Sequence, residues 1–149
     1  EPFRQNIRPF ARLMVASGWQ VQVETNGTLP LGEGRHPWID NNFTLVCSPK
    51  TPKLNPQIEN YLEEAGHYKY VLSHTAVDPT DGLPSSVLGM PVSPYRPDRR
   101  AIKCGRVWLQ PADEGDQETN KRNLQATVES CMRYGYRLCL QIHKIAGLP

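Results

Sequence analysis

The hydrophobic pattern alternates between two periods along the chain. Short runs of alternating or continuous apolar residues, bounded by turn-forming residues, predict strands at 20–24, 43–47, 68–72, 106–109 and 138–142. Apolar residues at helical spacing predict helices at 3–17, 56–65 and 120–134. Asn55 suits the N-cap of the second helix and Pro56 its first turn, whereas Pro9 should kink the first helix or start its regular part. Strands and helices that alternate in this way predict parallel βα units and an α/β fold.

Two segments carry further predictions. The last long helix has Leu124, Val128, Cys131 and Tyr134 on one face and ends before Gly135. Between positions 76 and 103, five prolines and two glycines interrupt regular structure. A connection of this length is unusual inside a compact domain, so we interpret it as a functional loop or a subunit contact that contains a short strand.

Composition and charge narrow the class of protein. The 149 residues, 38% of them hydrophobic, are enough to bury one core and predict one domain or most of one. A formal net charge of +2 from 17 basic and 15 acidic residues is far from the basic stripe of a nucleic-acid-binding protein. Apolar runs stay well short of the roughly 20 residues that cross a bilayer, and the first residues are polar instead of signal-like. We therefore expect a cytoplasmic protein that binds neither nucleic acid nor membrane.

The cysteines show no pairing or metal-binding pattern. Cys47, Cys104, Cys131 and Cys139 form no CxxC pair and do not stand near a histidine at zinc-site spacing. Cys47 and Cys139 lie within apolar strand-like runs, where cysteine commonly acts as a small buried hydrophobe. We expect all four to be free thiols.

Polar residues follow the predicted strands at four places. These clusters are Glu24–Gly27, Ser48–Lys50, Gln110–Asp113 and His143–Lys144. Each cluster alone has a structural explanation: Glu24 or Asp113 as a cap, Ser48 in a turn, His143 as a surface residue. In parallel βα units, however, ligands collect at the carboxyl ends of the strands. The recurrence of polar residues there favours one shared binding site.

Several short motifs resemble one enzyme family. The opening Glu1-Pro2 is similar to the second half of the GGEP motif of radical S-adenosylmethionine enzymes, and Thr25–Gly27 is similar to their T-N-G turn. The more specific motifs are VCSPK at 46–50, LQPAD at 109–113 and LQIHK at 140–144, followed by the end of the chain at Pro149. In combination and order, these motifs resemble 7-carboxy-7-deazaguanine synthases over essentially the whole chain.

The resemblance implies a partial, truncated β/α barrel of the radical S-adenosylmethionine type, with residues 1–149 as the C-terminal part of a single domain. It implies a lyase that converts 6-carboxy-5,6,7,8-tetrahydropterin to 7-carboxy-7-deazaguanine with loss of ammonia, in queuosine and deazapurine biosynthesis. The implied cofactors are S-adenosylmethionine, a 4Fe–4S cluster that cleaves it to a 5′-deoxyadenosyl radical, and magnesium, which assists ring contraction. A homodimer and an electron donor such as flavodoxin are implied as well.

The family pattern also assigns site residues. The S-adenosylmethionine site would be lined by Glu1, Ser48, Pro49, Lys50, Gln110, Pro111, Ala112 and Asp113. His143 and the terminal carboxylate of Pro149 would face the pterin. Glu24 is assigned to substrate binding, although contact with the cofactor ribose is the open alternative. These groups fit the chemistry, because S-adenosylmethionine presents an ammonium, a carboxylate and a ribose diol, and a pterin edge presents two adjacent N–H donors.

One departure from the family leaves alternatives open. The cysteine motif for the cluster and the adjacent magnesium position belong before GGEP, so we expect these ligands upstream of Glu1, in an N-terminal part outside the given residues. Another radical S-adenosylmethionine enzyme, such as a glycyl-radical activase, would share the GGEP and T-N-G elements. It would not be expected to end in HKxxGLP. A non-catalytic α/β ligand-binding module is the alternative from a different class.

Overall fold

The computed structural model describes residues 1–32 and 42–147, which form a parallel sheet with helices. The strands are β1 (Val21–Thr25), β2 (Phe43–Cys47), β3 (His67–Leu72), β4 (Val107–Pro111) and β5 (Arg137–Leu138). Each pairs in parallel with the next, so the spatial order is the chain order. This sequential order is that of a β/α barrel, whereas a doubly wound sheet reverses its order at a switch point. The predicted α/β fold is confirmed, and the topology is consistent with a partial barrel.

Helices and turns connect the strands. A 3₁₀ turn at Pro2–Arg4 is followed by α1 (Arg8–Ala16), α2 (Pro56–Glu64), α3 (Arg99–Lys103), α4 (Gln117–Tyr134) and α5 (Ile142–Ile145). The predicted start of α2 is confirmed, because the Asn55 side chain accepts a hydrogen bond from the amide of Gln57. Pro9 lies in the first turn of α1, where its missing N–H costs nothing. The helix therefore begins after the 3₁₀ turn and does not run from Phe3.

The predicted last strand is wrong in its extent. Only Arg137 and Leu138 pair with β4, at Trp108 and Leu109, and the chain turns into α5 at Ile142. Leu140 and Ile142, which we expected in this strand, are 38% and 70% exposed. The Cys139 amide still donates to the Leu109 carbonyl at 2.8 Å, but Leu140 and Ile142 have no buried position that would extend the pairing further.

The apolar face of α4 contacts the core only in part, because Cys131 and Tyr134 pack against it whereas Leu124 does not. The buried residues of this helix are Asn123, Thr127 and Ser130, whereas Leu124 is 39% exposed. Their polar groups are satisfied by backbone acceptors: the Thr127 hydroxyl donates to the Asn123 carbonyl at 2.7 Å and the Ser130 hydroxyl to the Gly82 carbonyl at 2.6 Å. Small polar side chains can therefore replace apolar ones on this face.

One face of the sheet forms the hydrophobic core. Alternate residues of β1 to β4 point to it, namely Val23, Leu45, Cys47, Tyr68, Tyr70, Leu72, Val107 and Leu109. Ile58, Tyr61 and Leu62 of α2 complete this layer. Cys47 is fully buried, and burial raises its thiol pKa to about 12. The predicted role of Cys47 as a buried hydrophobe is confirmed.

The proline-rich segment 76–103 is tied to the rest of the structure. The Tyr70 hydroxyl of β3 donates to the Tyr95 carbonyl at 2.6 Å, and the Tyr95 hydroxyl donates to Glu59 of α2 at 2.7 Å. Within the segment, the Arg96 side chain contacts Asp78 and Asp81 at 3.3 and 2.8 Å. The segment contains isolated bridges, Val77 with Pro84 and Val87 with Met90, and it ends in helix α3. These bridges are isolated, so the short strand that we expected inside residues 76–103 does not form.

Candidate functional site

The opposite face of the sheet is polar and partly open. Alternation along the strands places there the side chains that line a cavity of about 250 Å³: Gln22, Glu24, Thr44, Val46, His67, Lys69, Trp108 and Cys139. Helices cover the other face, so this one corresponds to the interior side of a β/α barrel. In an incomplete barrel such a face is accessible to a ligand.

An ion pair spans this open face from β1 to β3. Lys69 Nζ lies 2.5 Å from Glu24 Oε2, across the intervening strand β2. The Gln22 amide donates to the other oxygen, Glu24 Oε1, at 3.3 Å. The Lys69 side chain is only 19% exposed, whereas that of Glu24 is 49% exposed. Glu24 therefore presents a carboxylate of defined orientation to the cavity.

A second polar contact joins β3 and β4 on the same face. The Trp108 indole N–H donates to His67 Nδ1 at 3.2 Å, and the Arg137 guanidinium lies 5.2 Å from the centre of the Trp108 ring. Burial, together with the charges of Arg106 and Arg137, lowers the pKa of His67. An acceptor role for Nδ1 agrees with this direction, because it requires a neutral imidazole.

Glu1 is bound to the carboxyl end of β1. Its carboxylate accepts hydrogen bonds from the Thr25 hydroxyl at 2.7 Å and from the Asn26 amide at 2.9 Å. Gly27 follows with a φ of +80°, and a Cβ at this position would lie 2.8 Å from Cys47 Sγ. The T-N-G turn thus needs glycine both for its backbone conformation and for its close packing on β2.

A second cavity lies at the carboxyl edge of β2, β3 and β4. With a volume of about 310 Å³ it is the larger of these two cavities. Pro49, Lys50 and Ala112 line it together with Ser73, Glu114 and several residues between Pro84 and Pro94. The Lys50 ammonium donates to Ser48 Oγ at 3.2 Å. Burial and the nearby charge of Lys69 lower the pKa of Lys50. The cavity therefore combines a partly desolvated cation, a carboxylate and apolar walls.

Asn123 of α4 connects two of the loops at this edge. Its side-chain oxygen accepts from the backbone amide of His74 at 2.8 Å, and its amide group donates to the Ala112 carbonyl at 3.0 Å and to Glu114 Oε1 at 3.2 Å. The Ser73 hydroxyl donates to the same Glu114 oxygen at 3.1 Å. This fully buried side chain fixes the loops after β3 and β4 relative to each other.

The structure brings together some of the predicted site residues. Pro49, Lys50 and Ala112 share the larger cavity, whereas Ser48, Gln110, Pro111 and Asp113 are not among its lining residues. Asp113 is paired with Lys144 and also accepts from Asn120 at 2.7 Å and from the Gly115 amide at 3.1 Å. These contacts, led by the Lys144 hydrogen bond, lower the Asp113 pKa to about 2.

The C-terminal residues are only partly placed by the structure. His143 is exposed in α5, and its neighbour Lys144 makes the contact with Asp113. Pro149, with its terminal carboxylate, lies outside the described residues. The ligand roles of His143 and Pro149 stay predictions.

Sequence reasoning missed the polar residues of strand β3 and of the loop that follows it. His67 and Lys69 alternate with the buried Tyr68 and Tyr70, a period of two that marks them as residues of the opposite face. That signal was present in the sequence. The contacts of Ser73 and Asn123 had no comparable signal, because their partners are distant in the chain.

No group of three or more His, Cys, Asp or Glu side chains in residues 1–32 and 42–147 has an arrangement that could hold a metal ion. Within the same ranges, no helix is both long and apolar enough to cross a membrane.

The parallel sheet in chain order defines an α/β protein, and the polar side chains at its carboxyl edge and on its open face form candidate sites where a β/α barrel binds ligands. The chain is 39% identical to the 7-carboxy-7-deazaguanine synthase of Rhodospirillum rubrum, over 97% of the chain and 60% of that protein. It is 29% identical to the synthases named for Rickettsia prowazekii and Caulobacter vibrioides, over 99% and 100% of the chain and 56% of each of those proteins.

These comparisons confirm the resemblance predicted from the motifs. The chain is similar, along nearly its whole length, to part of the 7-carboxy-7-deazaguanine synthases. It spans somewhat more than half of the length of these relatives. No family model matches the chain, and no solved structure gives a significant match.

Proposed function

We propose that the whole protein is a radical S-adenosylmethionine lyase that converts 6-carboxy-5,6,7,8-tetrahydropterin to 7-carboxy-7-deazaguanine with loss of ammonia. The observation that carries the proposal is the 39% identity to the Rhodospirillum rubrum synthase over 97% of the chain. We also propose that it acts in the cytoplasm as a homodimer and receives electrons from a donor such as flavodoxin.

The larger cavity is our candidate for part of the S-adenosylmethionine site. Its volume of about 310 Å³ is within the usual range of small-molecule pockets. Lys50 offers a cation for the carboxylate of the ligand, and Glu114 offers an acceptor for its ammonium or its ribose hydroxyls. Glu1, Ser48, Gln110 and Asp113, at the ends of β1, β2 and β4, would extend this site along the edge.

The cavity on the open face is our candidate for the pterin site. Glu24 presents a carboxylate there, which matches two adjacent N–H donors in geometry. His143 and the terminal carboxylate of Pro149 are proposed to reach the same substrate from the C-terminal segment. The preference for substrate over cofactor ribose at Glu24 rests on its position in the lining of the open-face cavity, whereas it is not among the residues that line the larger cavity.

The implied cofactors are compatible with these two candidate sites. When bound, S-adenosylmethionine and a reduced 4Fe–4S cluster supply the radical, and magnesium assists the rearrangement. We propose that the ligands of the cluster and of magnesium lie upstream of Glu1. The residues described above bind and orient the two organic ligands and exclude water around them.

The proposal is tested with the complete protein, purified and reconstituted anaerobically with iron and sulfide. We expect that S-adenosylmethionine, a reductant and 6-carboxy-5,6,7,8-tetrahydropterin give 7-carboxy-7-deazaguanine and ammonia in equal amounts, measured by mass spectrometry and an ammonia assay. Formation of 5′-deoxyadenosine without pterin consumption would indicate a different radical enzyme. Binding of small ligands without any turnover would favour a non-catalytic module.

A further inference from the structure

Lys69 has no role in the site assignments above, yet it makes the shortest contact on the open face. The register of the sheet sets Glu24 beside Val46, and Val46 beside His67. Lys69 is two residues further along β3, on the same face as His67. Its side chain therefore reaches across β2, over the buried Val46, to contact Glu24 at 2.5 Å.

The contacts of Glu24 leave part of its carboxylate available. An ionised carboxylate has about four acceptor positions, two on each oxygen. Lys69 uses one on Oε2, and Gln22 uses one on Oε1. Because both oxygens are held, the plane of the carboxylate is fixed relative to the cavity. A planar ligand edge with two adjacent N–H donors can use the remaining positions at the same time.

The orientation of the Glu24 carboxylate depends on a partner, because an unpaired side chain at this position would be mobile. Glu24 is 49% exposed, and a glutamate at such a position samples several rotamers unless a partner holds it. The Lys69 side chain is only 19% exposed, so packing against the sheet restricts its position. A restricted cation can fix a more mobile anion, whereas two exposed partners would both remain flexible.

We propose that Lys69 is a positioning residue, which orients the Glu24 carboxylate to receive the 2-amino-4-oxo edge of the pterin. The inference rests on the proposed function, because it takes Glu24 as the pterin acceptor. Lys69 acts through Glu24 and does not itself contact the reacting atoms. Its removal therefore weakens pterin binding much more than S-adenosylmethionine binding.

The test compares variants of the complete, reconstituted protein. Lys69→Met removes the charge at similar length, Lys69→Arg retains it, Glu24→Gln alters the acceptor, and Lys69→Met/Glu24→Gln combines the two changes. Lys103→Met, at an exposed lysine of α3, is the matched control. The measurements are equilibrium binding of the non-reactive analogue pterin-6-carboxylate, binding of S-adenosylmethionine, KM and kcat for the tetrahydropterin, and the thermal midpoint.

We expect Lys69→Met to weaken binding of the analogue and to raise KM about tenfold to a hundredfold, the range for a lost charge-assisted contact. Binding of S-adenosylmethionine and the thermal midpoint should stay close to the parent values. Lys69→Arg should recover part of the loss. The double variant should be no weaker than Glu24→Gln, because Lys69 then has no carboxylate to orient.

Two results would overturn the proposal for Lys69 alone. One is a parent protein that binds and converts the pterin while Lys69→Met binds it equally well. The other is a double variant whose loss is the sum of the two single losses, since this would mean that Lys69 acts independently of Glu24. A parent protein that neither binds nor converts the pterin would instead refute the proposed function, and the role of Lys69 with it.

Discussion

The two faces of the sheet use neighbouring residues of the same strands in different ways. On the helix-covered face, Leu45, Leu72 and Leu109 are completely buried. On the open face, Glu24 and Lys69 form an ion pair beside a cavity. Only the alternation of successive side chains between the two faces of each strand separates these environments. Stability and ligand recognition can therefore be changed independently, by substitutions one residue apart.

The largest loss of stability is expected from a substitution on the helix-covered face. Leu45→Ala should lower the free energy of unfolding by about 2–5 kcal/mol, because it removes buried contacts and leaves a cavity. Thr44→Ala, one residue earlier and on the open face, should cost about 1 kcal/mol or less. Chemical denaturation of both variants measures the difference. Equal losses would contradict the division of the sheet into a core face and a ligand face.

A smaller loss of stability is expected from a substitution in α4, where this helix contacts the loops at the carboxyl edge. Asn123→Leu keeps a similar volume but leaves the His74 amide and the Ala112 carbonyl without this partner, which should cost about 1–3 kcal/mol. Gln125→Leu, at an exposed position of the same helix, should change stability by less than about 0.5 kcal/mol. If denaturation gave the two variants equal stability, Asn123 would not be the link between these loops.

The open face should tolerate loss of its ion pair. Lys69→Met is expected to change the free energy of unfolding by less than about 1 kcal/mol, because the remaining Glu24 carboxylate is half exposed and stays hydrated. The same denaturation experiment measures this value. A loss as large as that of Leu45→Ala would mean that the pair belongs to the core and would remove the contrast between the two faces.

The smallest effect concerns pH and the contact between α5 and the loop after β4. The pKa of Asp113 is lowered to about 2, first by Lys144, so this carboxylate stabilises the fold above its unfolded pKa of about 3.9. The contribution is lost as the pH falls through about 2. Lys144→Met should raise the Asp113 pKa toward its usual value, as measured by carbon-13 NMR titration. An unchanged pKa would show that the other hydrogen bonds of Asp113 suffice.

The sequence predicts the covered face well. The bounds of β2, the N-cap of α2 and the parallel α/β class all agree with the structure. These features depend on local signals, such as an apolar run or an Asn-Pro start, which the chain carries within a few residues.

The open face and the edge are harder to predict because their contacts are long-range. Lys69 and Glu24 are 45 residues apart, and His74 and Asn123 are 49 apart. The buried polar residues of α4 are hard to predict for a related reason: the Ser130 hydroxyl donates to the Gly82 carbonyl, a contact that helical periodicity does not reveal. Placement of the polar clusters along one edge follows from the parallel strands. Their roles as ligand contacts stay predictions.

Asn123 has a consequence for how the candidate site can move. One side chain of α4 holds both the loop after β3, at His74, and the loop after β4, at Ala112 and Glu114. A shift of either loop alone would break these bonds, so an opening of this edge that preserves them would move the two loops as one unit with the start of α4. The rate at which ligands enter and leave would then be governed by one concerted step, in place of two independent loop fluctuations.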